Sequence, residues 1–147
     1  MELIDFEKNR LSRDTSTFCI VLMDIDHFKK VNDTYGHLTG DVVLREVASV
    51  MSKTLRNTEF CGRYGGEEFL AVLTQTDSTG ALNAAERMRA NIAGLQFPGI
   101  NIGFKVTVSI GLAEYRKGEA AEEAIARADK AMYLAKESGR NRVELDL

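Results

Sequence analysis

The 147-residue chain has no tryptophan, one proline, two cysteines and two histidines. Two cysteines, Cys19 and Cys61, are too few for a disulfide-stapled secreted scaffold, and their spacing offers no metal motif. Each sits inside an apolar stretch, so both are expected as buried free thiols. A basic excess is also missing. The net charge is −3 and the pI about 5.5, whereas domains that live on long nucleic acid carry a basic face and a high pI. Long DNA or RNA is therefore not an expected partner, although a small anion needs only a few local Lys and Arg. Long apolar runs are absent as well. The longest, residues 18–23, is far too short for a bilayer, and the N-terminus lacks the apolar core of a signal peptide. No membrane contact by this domain is expected, and the cytoplasm is the expected compartment. No repeat, low-complexity tract or linker is visible.

What is present is ordinary for a soluble globular protein, with 44% hydrophobic and 28% charged residues. The length suits a single domain, residues 1–147, able to bury roughly two-thirds of its unfolded surface. Residues 1–13 read as a short charged helix. Residues 18–26 are an apolar run ending in acids, the pattern of a buried central strand. A polar helical turn follows at 28–33. Gly40-Asp41 is expected to open a longer helix with Val43, Leu44, Val47, Met51 and Leu55 inward. Residues 60–64 and 67–73 read as strands joined by a hairpin at Gly65-Gly66. Residues 80–93 form an Ala-rich helix, and Pro98-Gly99 a loop. Residues 106–113 alternate as a strand, residues 119–137 as an amphipathic helix stopped by Ser138-Gly139, and residues 143–147 as a last edge strand. The central hairpin argues against an all-parallel sheet and for an antiparallel-dominated α+β sandwich.

Three constellations carry chemistry. Asp24 and Asp26 place carboxylates at i and i+2 on a strand's carboxyl end, either as solvated acids capping the strand or as ligands. Arg63-Tyr64-Gly65-Gly66-Glu67-Glu68-Phe69 sends two acids straight from a glycine turn into an apolar strand. It reads either as a generic hairpin with exposed acids or, if it pairs beside the first strand, as acids converging with Asp24. Convergent carboxylates and a backbone oxygen suit a hard cation such as Mg²⁺. Lys136 and Arg140 lie near a helix end, where they either favour the helix dipole or clamp a polyphosphate. No Walker A pattern is present.

Taken together, the stretch from Asp24-Ile25-Asp26-His27-Phe28-Lys29-Lys30-Val31-Asn32-Asp33 through Gly36-His37, then Gly40-Asp41, the run from Arg63 to Phe69, and Ala128-Asp129-Lys130-Ala131-Met132-Tyr133 to Asn141 resemble the GGDEF domain of diguanylate cyclases. The order is right and nearly the whole chain is covered. The signature here reads Gly-Gly-Glu-Glu-Phe, a variant that active members also use. The resemblance implies a fold like the nucleotidyl cyclases and polymerase palms, a central mostly antiparallel sheet flanked by helices. It implies condensation of two GTP into cyclic di-GMP, with two pyrophosphates released, by a 3′-hydroxyl attacking an α-phosphate across a homodimer.

Residue by residue, the resemblance gives Asp24, the Ile25 carbonyl and Glu67 as ligands of Mg²⁺ or Mn²⁺, two ions per active site. Glu67 is also the proton acceptor. Glu68 stands beside the site as a second catalytic acid, ranked lower because successive strand residues face opposite ways. Backbone N–H groups at His27 and Phe28, with Lys29, would meet the phosphates, and Lys136 and Arg140 would hold the β- and γ-phosphates. Asn32 and Asp41 would read guanine. A carboxylate accepts from both N1–H and N2–H of guanine, whereas it repels the N1 lone pair of adenine. As a plain helix residue, Asp41 would be an acid near a helix N-terminus. His37 is either substrate-side or bonded to a nearby loop. Arg56 and Glu59, with Arg87 on the next helix, match a product-inhibition site whose usual aspartate is replaced by Glu59. They are either a blunted feedback site or a surface ion pair. The family's segment upstream of the domain does not occur here, so the chain is expected to be a fragment of a longer protein. The alternative function is a catalytically weak GGDEF module that binds GTP or cyclic di-GMP as a receptor. Such modules usually lose metal or signature positions, and those are present here.

Overall fold

A computed structural model describes Glu2, Ile4, Asp5 and residues 17–55 and 58–146. The elements are β1 (Cys19–Ile25), α1 (Phe28–Tyr35), α2 (His37–Thr54), β2 (Thr58–Gly65), β3 (Glu68–Leu73), α3 (Ser78–Ala93), β4 (Val108–Glu114), α4 (Ala121–Glu137) and β5 (Arg142–Asp146). The sheet order is β2-β3-β1-β4-β5. β1 pairs antiparallel with β3 and β4, β2 pairs antiparallel with β3, and only β5 runs parallel to its neighbour β4. The α+β sandwich with a mostly antiparallel sheet is therefore the fold observed. Glu2, Ile4 and Asp5 are helical, and the rest of the helix expected at 1–13 lies outside the described residues.

The central place of β1 follows from its sequence. All seven of its residues are buried, so both faces must be covered. Cys19, Val21, Met23 and Ile25 face Val43, Val47 and Met51 of α2 and Ala81, Ala85 and Met88 of α3. Ile20 and Leu22 face Ala124, Ile125, Ala128 and Met132 of α4. Each large aliphatic side chain so buried contributes about 1.5–3 kcal/mol. No helix among the described residues is long and apolar enough to cross a membrane.

The small residues of α4 let it lie close on β4. At Gly111, an added Cβ would come 2.0 Å from the Ala128 carbonyl oxygen and 2.3 Å from the Met132 nitrogen. A glycine inside a strand marks such a close backbone approach. It fixes the depth of the helix that carries Lys136 and leads to Arg140.

Two expectations change in detail. The longer helix starts at His37, not at Gly40-Asp41, because Gly36 (φ 91°) alone separates α1 from α2. Asp41 thus sits one turn into α2 and is no N-terminal acid. Cys19 is a buried thiol that donates to the Thr76 carbonyl at 3.3 Å, and burial pushes its pKa up to about 12. Cys61 is only half-buried, because β2 is an edge strand.

Candidate active site at the end of the central strand

Asp24 is the next-to-last residue of β1 and only 6% exposed. It shares the α4 face with Ile20 and Leu22, and Lys136 in the last turn of α4 donates to its Oδ2. In the β1–β3 ladder the residue opposite Asp24 is Glu68, and opposed residues share a face. Glu67 precedes the strand in the turn, where its carbonyl accepts from the Ile25 N–H at 3.4 Å. Arg63 pins that turn by donating to the Gly66 carbonyl at 2.7 Å. Glu67 belongs to the turn and β3 begins at Glu68, in register with Asp24, so strand alternation does not rank the two acids. The hairpin brings both acids to Asp24.

Burial pushes the Asp24 carboxyl above the ordinary carboxylate value, with the charges of Glu67 and Asp26 adding and Lys136 opposing. Burial also raises Glu68, helped by Asp24 and Asp129. A half-buried acid cluster countered by one lysine gains from a hard cation, and carboxylate and carbonyl oxygens are the donors Mg²⁺ and Mn²⁺ prefer. The donor set thus fits such an ion. Among the described residues, no three His, Cys, Asp or Glu side chains form a ready cage.

Asp26 does not pair with Asp24. It lies beyond β1, and its carboxylate accepts from Ser109 Oγ at 2.6 Å, Thr107 Oγ1 at 2.7 Å and the Asn141 N–H at 3.0 Å. Its own N–H donates to the Thr107 carbonyl at 2.9 Å. Sequence reading missed this network. The available signal was Ser109, a polar residue in an apolar strand, which is wholly buried and so needed a partner.

The nucleotide-side candidates line the β1–α1 exit and the start of α2. His27 is exposed with left-handed backbone (φ 56°), and its side chain makes no capping hydrogen bond to α1. Phe28 is buried; Lys29 is exposed and lies 3.5 Å from Asp33. Asn32 packs against Gly40, where an added Cβ would fall 1.9 Å from Asn32 Oδ1. That Oδ1 is buried and, among the described residues, has no hydrogen-bond partner. Asp41 is exposed. His37 is exposed too, and the expected bond to a nearby loop is not made among the described residues. Arg140 is exposed just past α4 with φ 64°. Arg87 is exposed on α3. Arg56 and the Glu59 side chain lie outside the described residues.

The family model described as "Diguanylate cyclase, GGDEF domain" matches residues 2–142. The chain is 43% identical over 140 residues to diguanylate cyclase A of Treponema denticola, covering 93% of this chain and 37% of that protein. It spans 22–37% of the length of the first curated relatives it matches. Among solved structures, the GGDEF domain of DgcB from Caulobacter crescentus, in complex with c-di-GMP, is similar. Its TM-score is 0.91 at 36% identity, covering 99% of this chain and 86% of that one. The active GGEEF domain of a diguanylate cyclase from Vibrio cholerae has TM-score 0.90 at 32% identity, covering 98% and 93%. With its sheet, its acid-bearing hairpin beside β1 and its match along nearly the full length, this chain belongs to the GGDEF domain family.

Proposed function

We propose that this domain condenses two GTP molecules into cyclic di-GMP and releases two pyrophosphates. The observation that carries the reading is the meeting of Asp24, Glu67 and Glu68 with Lys136 at the end of β1. Asp24, the Ile25 carbonyl and Glu67, with Glu68 beside them, would hold Mg²⁺ or Mn²⁺, two ions per site. A metal held there would polarise the α-phosphate and ease loss of the ribose 3′-hydroxyl proton. Glu67 takes that proton. Lys136, paired with Asp24, and Arg140 hold the β- and γ-phosphates, while backbone N–H groups around His27 and Phe28, with Lys29, meet the same phosphates. His37 stands at the edge of this substrate side.

Each domain holds one GTP and cannot close the ring alone, so the working unit is a homodimer with the two nucleotides face to face. The cytoplasm, which supplies GTP, is the fitting compartment. Pyrophosphate release from GTP with Mg²⁺ tests the reading. Release should cease when the metal is chelated, and persistence under chelation would contradict it.

Guanine is read by Asn32 and Asp41. Asp41 is exposed and Asn32 only half-buried beside Gly40, which supports this. Gly40→Ala should then separate binding from stability. Alanine in a helix interior gains about 1 kcal/mol over glycine. Its Cβ, however, collides with Asn32, and Phe28 Cζ at 3.2 Å leaves little room to retreat. Losing one such base contact costs about 1–3 kcal/mol, about 5- to 150-fold in affinity. Calorimetry should show that loss for GTP with the melting temperature nearly unchanged; full affinity would remove Asn32 from the role.

By the family pattern, Arg56, Glu59 and Arg87 are expected to bind cyclic di-GMP weakly or not at all. Glutamate keeps the charge of the usual aspartate but adds a torsion to freeze, on the order of 0.5 kcal/mol, and moves the acceptors outward. Glu59→Asp should tighten cyclic di-GMP binding in a titration. Tight binding by the native domain that is lost in Arg56→Ala would overturn the expectation of blunted feedback.

A further inference from the structure

We propose that Asp26 is a positioning residue that holds the turn after α4 and so sets where Arg140 meets the triphosphate. The inference rests on the reading above that Arg140 binds phosphate. After α4 the chain makes three consecutive left-handed residues, Gly139 (φ 118°), Arg140 (φ 64°) and Asn141 (φ 45°). Only the first is glycine, and side-chain-bearing residues adopt this backbone at a cost, so surrounding contacts must impose it.

Those contacts can be named. The Arg140 N–H donates to the Ala135 carbonyl at 2.9 Å. Arg89 donates to Asn141 Oδ1 at 2.9 Å. The Asn141 N–H donates to Asp26 Oδ2 at 3.0 Å. Of these, only Asp26 ties the turn to the central strand's exit. Its carboxylate is itself fixed from β4 and the residue before it, since Ser109 and Thr107 hydroxyls donate to its two oxygens. Asp26 is 6% exposed and Ser109 fully buried, so water is kept from the bond between them, while the bonds from Thr107 and the exposed Asn141 are part-buried. The acid therefore acts as a bracket between β4, β1 and the Arg140 turn. Asp24, two residues earlier, meets Lys136 on the same helix end, so one short stretch of chain governs both cations.

The bracket needs an acceptor facing Asn141 and needs no negative charge. Asp26→Asn keeps one oxygen for the Asn141 N–H, while its amide donates to the Ser109 hydroxyl, which can turn to accept. Asp26→Ala keeps nothing. The test is calorimetric titration, in Mg²⁺, of 3′-deoxy-GTP and 3′-deoxy-GMP, which bind without condensing because the attacking hydroxyl is absent. The readout is the preference for triphosphate over monophosphate. In Arg140→Ala and in Asp26→Ala that preference should fall about tenfold, the effect of misplacing a charge-assisted bond. The double variant should fall no further than Arg140→Ala alone, and Asp26→Asn should keep most of the preference. Should Asp26→Ala fail to fold, Thr107→Val with Ser109→Ala frees the carboxylate and should lower the preference in the same direction. If Arg140→Ala lowers the preference and Asp26→Ala does not, or Asp26→Asn loses as much as Asp26→Ala, the bracket is overturned. An unchanged preference in Arg140→Ala would instead overturn Arg140's own role, and the bracket with it.

Discussion

Glu67→Gln is expected to lower cyclic di-GMP formation by on the order of 10³-fold or more while leaving the fold intact. The substitution keeps shape and length and removes one charge. Glu67 sits in the turn between β2 and β3, half-buried, beside a raised Asp24 carboxyl. It lies outside both hydrophobic clusters, so the core does not depend on it. Removing a like charge from this cluster relieves repulsion in the metal-free domain, so its thermal stability should hold or rise slightly. Binding of Mg²⁺ with GTP should weaken, and the 3′-hydroxyl loses its proton acceptor. Product formation near the wild-type rate would remove Glu67 from the chemistry and leave Glu68, in register with Asp24, as the acid to examine.

Gly111→Ala is expected to have the largest effect on stability, although the position is remote from substrate. In an open strand the change would gain about 0.5–1 kcal/mol by restricting the unfolded chain. Here the new Cβ meets backbone atoms of α4, the Ala128 carbonyl at 2.0 Å and the Met132 nitrogen at 2.3 Å. Backbone inside a helix cannot rotate away, so the helix must lift from the sheet. Overpacking of this kind costs about 3 kcal/mol or more, which outweighs the gain and lowers the melting temperature by about 10 °C for a domain this size. Because α4 carries Lys136 into contact with Asp24, activity measured well below the melting temperature should fall too. An unchanged melting temperature would show that α4 does not sit as close to β4 as described.

The sheet's centre was legible because β1 is apolar throughout until its acids, a pattern that only a strand covered on both faces tolerates. The hairpin was legible from Gly65-Gly66, and α4 from alanines at helical spacing. The start of α2 was not, because its first turn offers no apolar face: Leu38 is 84% exposed. The direction of β5 was left open, yet the strand–helix–strand order β4-α4-β5 fixes it as parallel once the two strands are neighbours. Of the site, Asp24, the signature acids and Lys136 could be read from the pattern they share with the family. The role of Asp26 could not, since its partners Thr107, Ser109 and Asn141 lie 81 to 115 residues along the chain. Nor could the tight contact of Gly40 with Asn32, which requires α1 and α2 to be folded against each other.

Catalysis stands against the alternative of a GGDEF module that only binds guanine nucleotides. Incubating the domain with GTP and Mg²⁺ and separating the nucleotides by anion-exchange chromatography tests it most directly. A product that co-elutes with cyclic di-GMP is expected, with two pyrophosphates for each product formed and a specific rate that rises with protein concentration as dimers form. Recovery of intact GTP at every protein concentration, from a domain that binds GTP tightly, would contradict it.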